Sequence, residues 1–325
     1  MPGPGGRPAY QKPIAGNKPG LPYTRRMASR PDPSAVPFPR VPGAGAPLVR
    51  TSGRRRTLEF APGDIQSEML LARPDALVLG YTRAMMCFAL FVPRPRHILM
   101  VGLGGGSLVK FCYRHFPECR ITVIELRADV IALRDQFRVP PDDARLRVIH
   151  ADAAGYLAGA GCAARPPHAQ PDGVQPAAHL DTHLADAHLA DVILVDGFDR
   201  AGLPADLANA GFYRDCHALL RDGGVLVANV FTYDPRYGAV LDALDGVFER
   251  RTCWFDKAAG NNRIVFALKS ADPQLPAARL QRRLARRRGL GLGLLNRLCV
   301  RLVLAWITSR SVLTPPQSPP DTLRT

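Results

Sequence analysis

Acidic residues are scarce at both ends of this chain. Residues 1–56 hold eleven Lys/Arg against one acid, Asp32, and residues 271–325 hold ten Arg against Asp272 and Asp321. The formal charge of +15 therefore belongs to the ends, while the stretch 57–270 is slightly acidic. A mildly acidic middle suits a cationic substrate better than a nucleic acid. Paired cysteines are also missing. The seven Cys, at 87, 112, 119, 162, 216, 253 and 299, stand singly with no Cys-x-x-Cys, as expected of reduced, buried thiols. No long apolar run is uninterrupted. The stretch 290–307 is broken by Asn296, Arg297 and Arg301, which argues against a spanning helix. No apolar core follows Arg25-Arg26, so no export signal is expected and a cytoplasmic location is. The absence of Gly-Lys-Ser/Thr excludes a P-loop ATPase.

Composition divides what is present. Residues 1–56 are rich in Pro, Gly and Arg without periodic hydrophobicity, the signature of a disordered arm. The texture changes at Thr57, with short strands expected over 57–60, 64–70 and 76–81 in a small N-terminal β segment, 57–96. Strands then alternate with helices across 97–270. Strands are expected at 97–101, 121–125, 146–150, 191–196 and 224–230, and helices at 108–116, 128–137, 211–220 and 235–248. The stretches 252–255 and 264–268 close the order as an antiparallel pair. Such alternation predicts an α/β, doubly wound, Rossmann-like sheet. An Ala/Pro/His-rich segment, 159–190, interrupts it as an inserted loop. A basic helix and a Pro-rich tail, 271–325, follow the domain. The helix is expected either to dock on its own domain or to lie on a membrane surface or partner.

The local signal with most chemistry in it is Leu99-Met-Val-Gly-Leu-Gly-Gly-Gly-Ser107. An apolar strand runs into Gly102, Gly104, Gly105 and Gly106, and a helix follows, so the backbone can turn tightly and approach a ligand at a helix N-terminus. Glu125 ends the next strand, about 20 residues on, where an acid accepts from ribose hydroxyls. Asp152, with Ala153 after it, ends the third strand; in methyltransferase-like sheets this place meets the adenine. No second dinucleotide element exists, so one adenosine-type cofactor fits better than NAD. The fourth strand, Asp191-Val-Ile-Leu-Val-Asp196-Gly-Phe-Asp199, delivers two spaced carboxylates to the same rim. A polyamine near neutral pH is an ammonium ion, so alkyl transfer from a sulfonium needs one acid to anchor it and one to take a proton.

From Thr57 to Lys269 the chain resembles the spermidine synthase (polyamine aminopropyltransferase) family. Asp196 and Asp199 resemble its Asp-Ser-Ser-Asp element, and Gly202, Pro204, Phe212 and Tyr213 its gate loop and next helix. Gly63-Asp-Ile-Gln66 and Tyr81-Thr-Arg-Ala-Met85 resemble its segments ahead of the nucleoside fold. The resemblance implies a class I methyltransferase-like fold, decarboxylated S-adenosylmethionine as co-substrate and a small-molecule amine as acceptor. It implies Asp196 as proton acceptor, Asp199, Tyr81 and Gln66 at the amine, and Glu125, Asp152 and Ala153 at the nucleoside. A homodimer is a further implied expectation. The chain departs from the family in carrying Gly105 where the Gly-Gly-Gly-Asp-Gly loop has an Asp that grips the aminopropyl amine. An S-adenosylmethionine-dependent methyltransferase and a non-catalytic binding homologue therefore stand as alternatives. No metal is expected: His179, His183 and His188 are repetitive and lie in the inserted loop. The basic ends suit weak, non-specific contacts with anionic surfaces. They lack interleaved aromatics, so specific nucleic-acid recognition is not expected.

Overall fold

A computed structural model describes residues 45–164, 189–197, 203–255, 262–270, 272, 274–286 and 293–313. All belong to the unit Arg40–Thr325. Three strands, β1 (Leu48–Ser52), β2 (Arg55–Glu59) and β3 (Ile65–Leu70), form an antiparallel sheet in that order. Its first hairpin turns at Gly53, whose φ of 54° is left-handed backbone that glycine adopts without steric cost. The β segment thus begins at Leu48, inside the stretch expected to be a disordered arm. The signal is faint in sequence because β1 is an edge strand exposed along most of its length. Residues 1–44 of that expectation lie outside the described residues.

The main sheet has seven strands in the order β6-β5-β4-β7-β8-β10-β9. They are β4 (His97–Val101), β5 (Arg120–Glu125), β6 (Leu146–His150), β7 (Ala190–Val195), β8 (Leu220–Phe231), β9 (Thr252–Trp254) and β10 (Asn262–Leu268). The five from β6 to β8 are mutually parallel, and β10 is antiparallel to both β8 and β9. Every residue of β4 is buried, as expected of a central parallel strand covered on both faces. Alternate residues divide between two cores. Ile98, Met100, Val123, Val192 and Leu194 pack on one side, and Leu99, Val101, Ile124, Ile193 and Val195 on the other.

On the first side lie α1 (Gly80–Met85), a 3-10 turn (Met86–Leu90) and α2 (Ser107–His115). The second side is covered by α4 (Ala153–Ala164), α5 (Ala210–Leu219) and α6 (Tyr237–Val247). A short α3 (Ala128–Ile131) follows β5. Two further helices, α7 (Pro276–Ala285) and α8 (Gly293–Leu313), return to the first side, where Val300, Val303 and Ile307 join the core. One face of the C-terminal helix thus docks on its own domain.

Three elements differ from expectation. The strand expected over 76–81 is absent: the chain makes turns there and then enters α1. Its apolar residues were misleading, because Leu77 packs on the core without a ladder partner. The helix expected over 128–137 stops at Ile131. Beyond it the backbone continues in tighter hydrogen-bonded turns, Leu133 N donating to Val130 O and Arg134 N to Ile131 O at 3.1 Å each, and Arg138 takes a left-handed φ of 53°. The inserted segment begins within α4, and 165–188, with its histidines, lies outside the described residues.

Candidate active site

Strand order reverses between β4 and β7, and in open parallel sheets ligands bind outside the carboxyl ends at such a switch point. The two strand tips touch there. Asp196 N donates to Val101 O at 2.9 Å, and Gly102 N donates to Ile124 O at 2.8 Å. Gly102 has φ of 94°, and a Cβ on it would collide with the Asp196 carbonyl oxygen. Only glycine lets the two strands meet this closely.

Glu125 sits under the glycine turn. Its Oε2 accepts from Leu103 N at 2.8 Å and its Oε1 from Arg127 N at 2.9 Å. Burial raises its pKa, and those backbone donors oppose the rise. Asp152 stands at the next strand tip and caps α4, accepting from Gly155 N at 2.8 Å; Ala153 is buried at the helix start.

Asp196 is a strongly perturbed carboxyl of the rim. Burial pushes its pKa up to about 7, while hydrogen bonds from Asn229 and Tyr81 hold it down. Asn229 Nδ2 donates to Asp196 Oδ1 at 2.9 Å, and Asn262 Nδ2 donates to Asn229 Oδ1 at 2.9 Å. Burial and the neighbouring Asp196 raise the Tyr81 pKa well above its ordinary value, so its hydroxyl stays protonated and donates. The same hydroxyl lies 3.5 Å from Gln66 O. Tyr81, Asp196 and the Gln66 backbone therefore meet, while Asp199 lies outside the described residues.

Gly105 faces β3. A Cβ there would stand 2.6 Å from Ser67 Oγ and 2.9 Å from Phe137 Cδ1, so the space beside this position is filled. Ser67 Oγ lies 3.2 Å from Ser107 Oγ. Beneath the turn, the buried Lys110 donates to Gly105 O at 2.9 Å and Phe137 O at 2.7 Å. Burial lowers its pKa to about 7.

Sequence reasoning missed Asn229, Asn262 and Lys110. Asn229 left a signal, being the one polar residue of the otherwise apolar stretch 225–230. Asp234 accepts from Arg236 N at 2.8 Å ahead of α6 and from Leu203 N at 3.2 Å. Clefts of about 630 and 440 Å³ open elsewhere, at the strands' amino ends, lined among others by Arg94 and Asp191 and by His97 and Thr122. Neither contains the rim residues. The switch point is the better candidate, because it alone unites perturbed titratable groups with a glycine turn.

No family model matches the chain. A polyamine aminopropyltransferase of Neisseria meningitidis is 31% identical over 244 residues, 74% of this chain and 83% of the relative. That of Chromobacterium violaceum is 31% identical over 224 residues, covering 69% and 76%. Among solved structures, a probable spermidine synthase from Corynebacterium glutamicum superposes with a TM-score of 0.53 at 19% identity, covering 86% of this chain and 94% of that one. Human methyltransferase-like protein 13, solved in complex with SAH, gives a TM-score of 0.51 at 20% identity, covering 76% and 98%. The structural likenesses show the fold, a class I methyltransferase-like sheet, and the sequence relatives show the family. The chain belongs to the polyamine aminopropyltransferase family.

Proposed function

We propose that the protein transfers an aminopropyl group from decarboxylated S-adenosylmethionine to a small diamine, with Asp196 as the proton acceptor. The observation that most supports this is the Asp196 carboxyl, lifted to about 7 beside the glycine turn. An ammonium must lose a proton before its nitrogen can attack, and an acceptor works best with a pKa near the operating pH. A carboxyl at the ordinary 3.8 would be a weaker base by about three units.

The rim fits an adenosyl sulfonium. Gly102, Gly104 and Gly106 all hold positive φ, so backbone approaches where side chains would block. Glu125 offers the ribose hydroxyls an acceptor already fixed by backbone N–H groups, and Asp152 and Ala153 face the adenine. When bound, the donor supplies a sulfonium whose propyl carbon is open to displacement, with methylthioadenosine as leaving group. The amine nitrogen forms the new N–C bond as the C–S bond breaks, and its proton passes to Asp196. Tyr81, Gln66 and Asp199 hold the amine in line, and positioning supplies most of the acceleration. On this reading 97–270 is the transferase domain, the preceding β segment walls the amine side, and the enzyme works in the cytoplasm as a homodimer.

One observation favours a second reading, methyl transfer from S-adenosylmethionine. Position 105 carries no carboxylate, and Ser67 occupies the space where one would project. Calorimetry with both donors and methylthioadenosine, followed by product analysis with a linear diamine, separates the two. Tighter binding of the decarboxylated donor, and one methylthioadenosine released per aminopropylated amine, is expected. Preference for the intact donor with methylated product would favour the second reading, and failure to bind any of the three would refute both.

A further inference from the structure

Among the described residues nine large apolar side chains are exposed, and five of them, Leu294, Leu295, Leu298, Leu302 and Trp306, lie on α8. That concentration marks a surface, because scattered exposed apolar residues need no explanation. Leu294, Leu298, Leu302 and Trp306 recur every four residues and so form one outward stripe. The opposite face is spent on the domain, with Asn296, Val300, Val303 and Ile307 buried.

Charge identifies what the stripe fits. Residues 273–320 contain nine Arg and no Asp or Glu. Arg297 and Arg301 are exposed along one edge of the stripe, and Arg279, Arg282, Arg283 and Arg286 are exposed on α7. We propose that this face docks the protein on an anionic phospholipid surface, with α8 lying in the interfacial plane. Leucines enter the boundary between headgroups and acyl chains, and arginines meet the phosphates. No described helix is long and apolar enough to cross a membrane, which leaves the in-plane arrangement. A second copy on the same face would bring like charges together with no acid on either segment to compensate. Single-stranded nucleic acid would need stacking platforms, and the stripe is leucine except at Trp306, whose ring stacks with Arg310 at 4.8 Å. Asp191 and Asp222 line the cleft beyond Trp306, so the anion-attracting part of the face is 294–302.

The test is co-sedimentation of the full chain with phosphatidylcholine vesicles, with and without about 30% phosphatidylglycerol. The wild type is expected to prefer the anionic vesicles by about ten-fold, and to release at roughly 0.5 M salt. Leu298→Glu with Leu302→Glu should cut binding about ten-fold or more, and Arg297→Gln with Arg301→Gln several-fold. The substituted residues are exposed, and an unchanged Tm verifies that each variant is folded. Equal binding to both vesicle types would overturn the proposal. So would variants that bind like wild type, which would assign binding to the N-terminal arm. Loss of a dimer in gel filtration of the Leu→Glu variant, without vesicle binding by the wild type, would assign the face to a second copy instead.

Discussion

Asn229 Nδ2 donates to Asp196 Oδ1 at 2.9 Å, and its own carbonyl is held by Asn262 Nδ2 at 2.9 Å. An amide whose oxygen is engaged in this way must turn its NH₂ toward Asp196. The ordered donor stabilises the ionised carboxylate and limits how far burial can raise its pKa.

Replacing Asn229 with Ala removes that donor. The alkaline-rising limb of the kcat profile should then move upward from about 7 by about one unit. Activity at pH 7 should fall about five-fold and recover nearly to the wild-type level at pH 9. A profile that falls uniformly at every pH would show that Asn229 acts on packing alone.

Asp196 also sets a pH dependence of stability. Its folded pKa, about 7, lies above the ordinary 3.8, so the folded state holds the proton more tightly. The resulting stability is complete below about 4 and is lost as pH rises toward 7. Urea denaturation of wild type and Asp196→Asn across this window should show the variant gaining relative stability, with the difference level above pH 7. Parallel curves would contradict the assignment.

Lys110 acts in a separate window. Burial lowers its pKa from 10.5 to about 7, so the unfolded chain binds the proton more tightly between those values. Wild-type stability should therefore rise from about pH 7 toward pH 10, and Lys110→Met should flatten this rise. The variant should lose about 1–3 kcal/mol at pH 9, because the carbonyls of Gly105 and Phe137 lose their donor.

The sheet was legible in the sequence because its signals are local and repeated. Buried strands such as β4 carry continuous apolar runs, here 98–101, and glycines and carboxylates mark their tips. The antiparallel closing pair and the switch-point rim followed from the same pattern. What stayed hidden depends on partners distant in sequence. The segment 76–81 reads as a strand but has no neighbour to pair with, and past Ile131 the helical pattern of 128–137 tightens into turns. Asn229 meets Asp196, and Asn262 meets Asn229, only because β8 lies between β7 and β10. The filled space beside Gly105 depends on Ser67, 38 positions earlier, and no local pattern announces that contact.

Gly105→Ala should force Ser67 and Phe137 apart, lowering Tm by several degrees. Ser67→Gly should relieve part of this cost, with a coupling of about 1 kcal/mol in a double-mutant cycle. Additive effects would mean that the two residues do not press on each other.

Whether Asp196 carries the proton in aminopropyl transfer is decided by one pair of measurements. Steady-state turnover and methylthioadenosine affinity are compared for wild type and Asp196→Asn. The account requires kcat to fall at least about a hundred-fold while nucleoside affinity changes by no more than about two-fold. Wild-type-like turnover in the folded variant would contradict it.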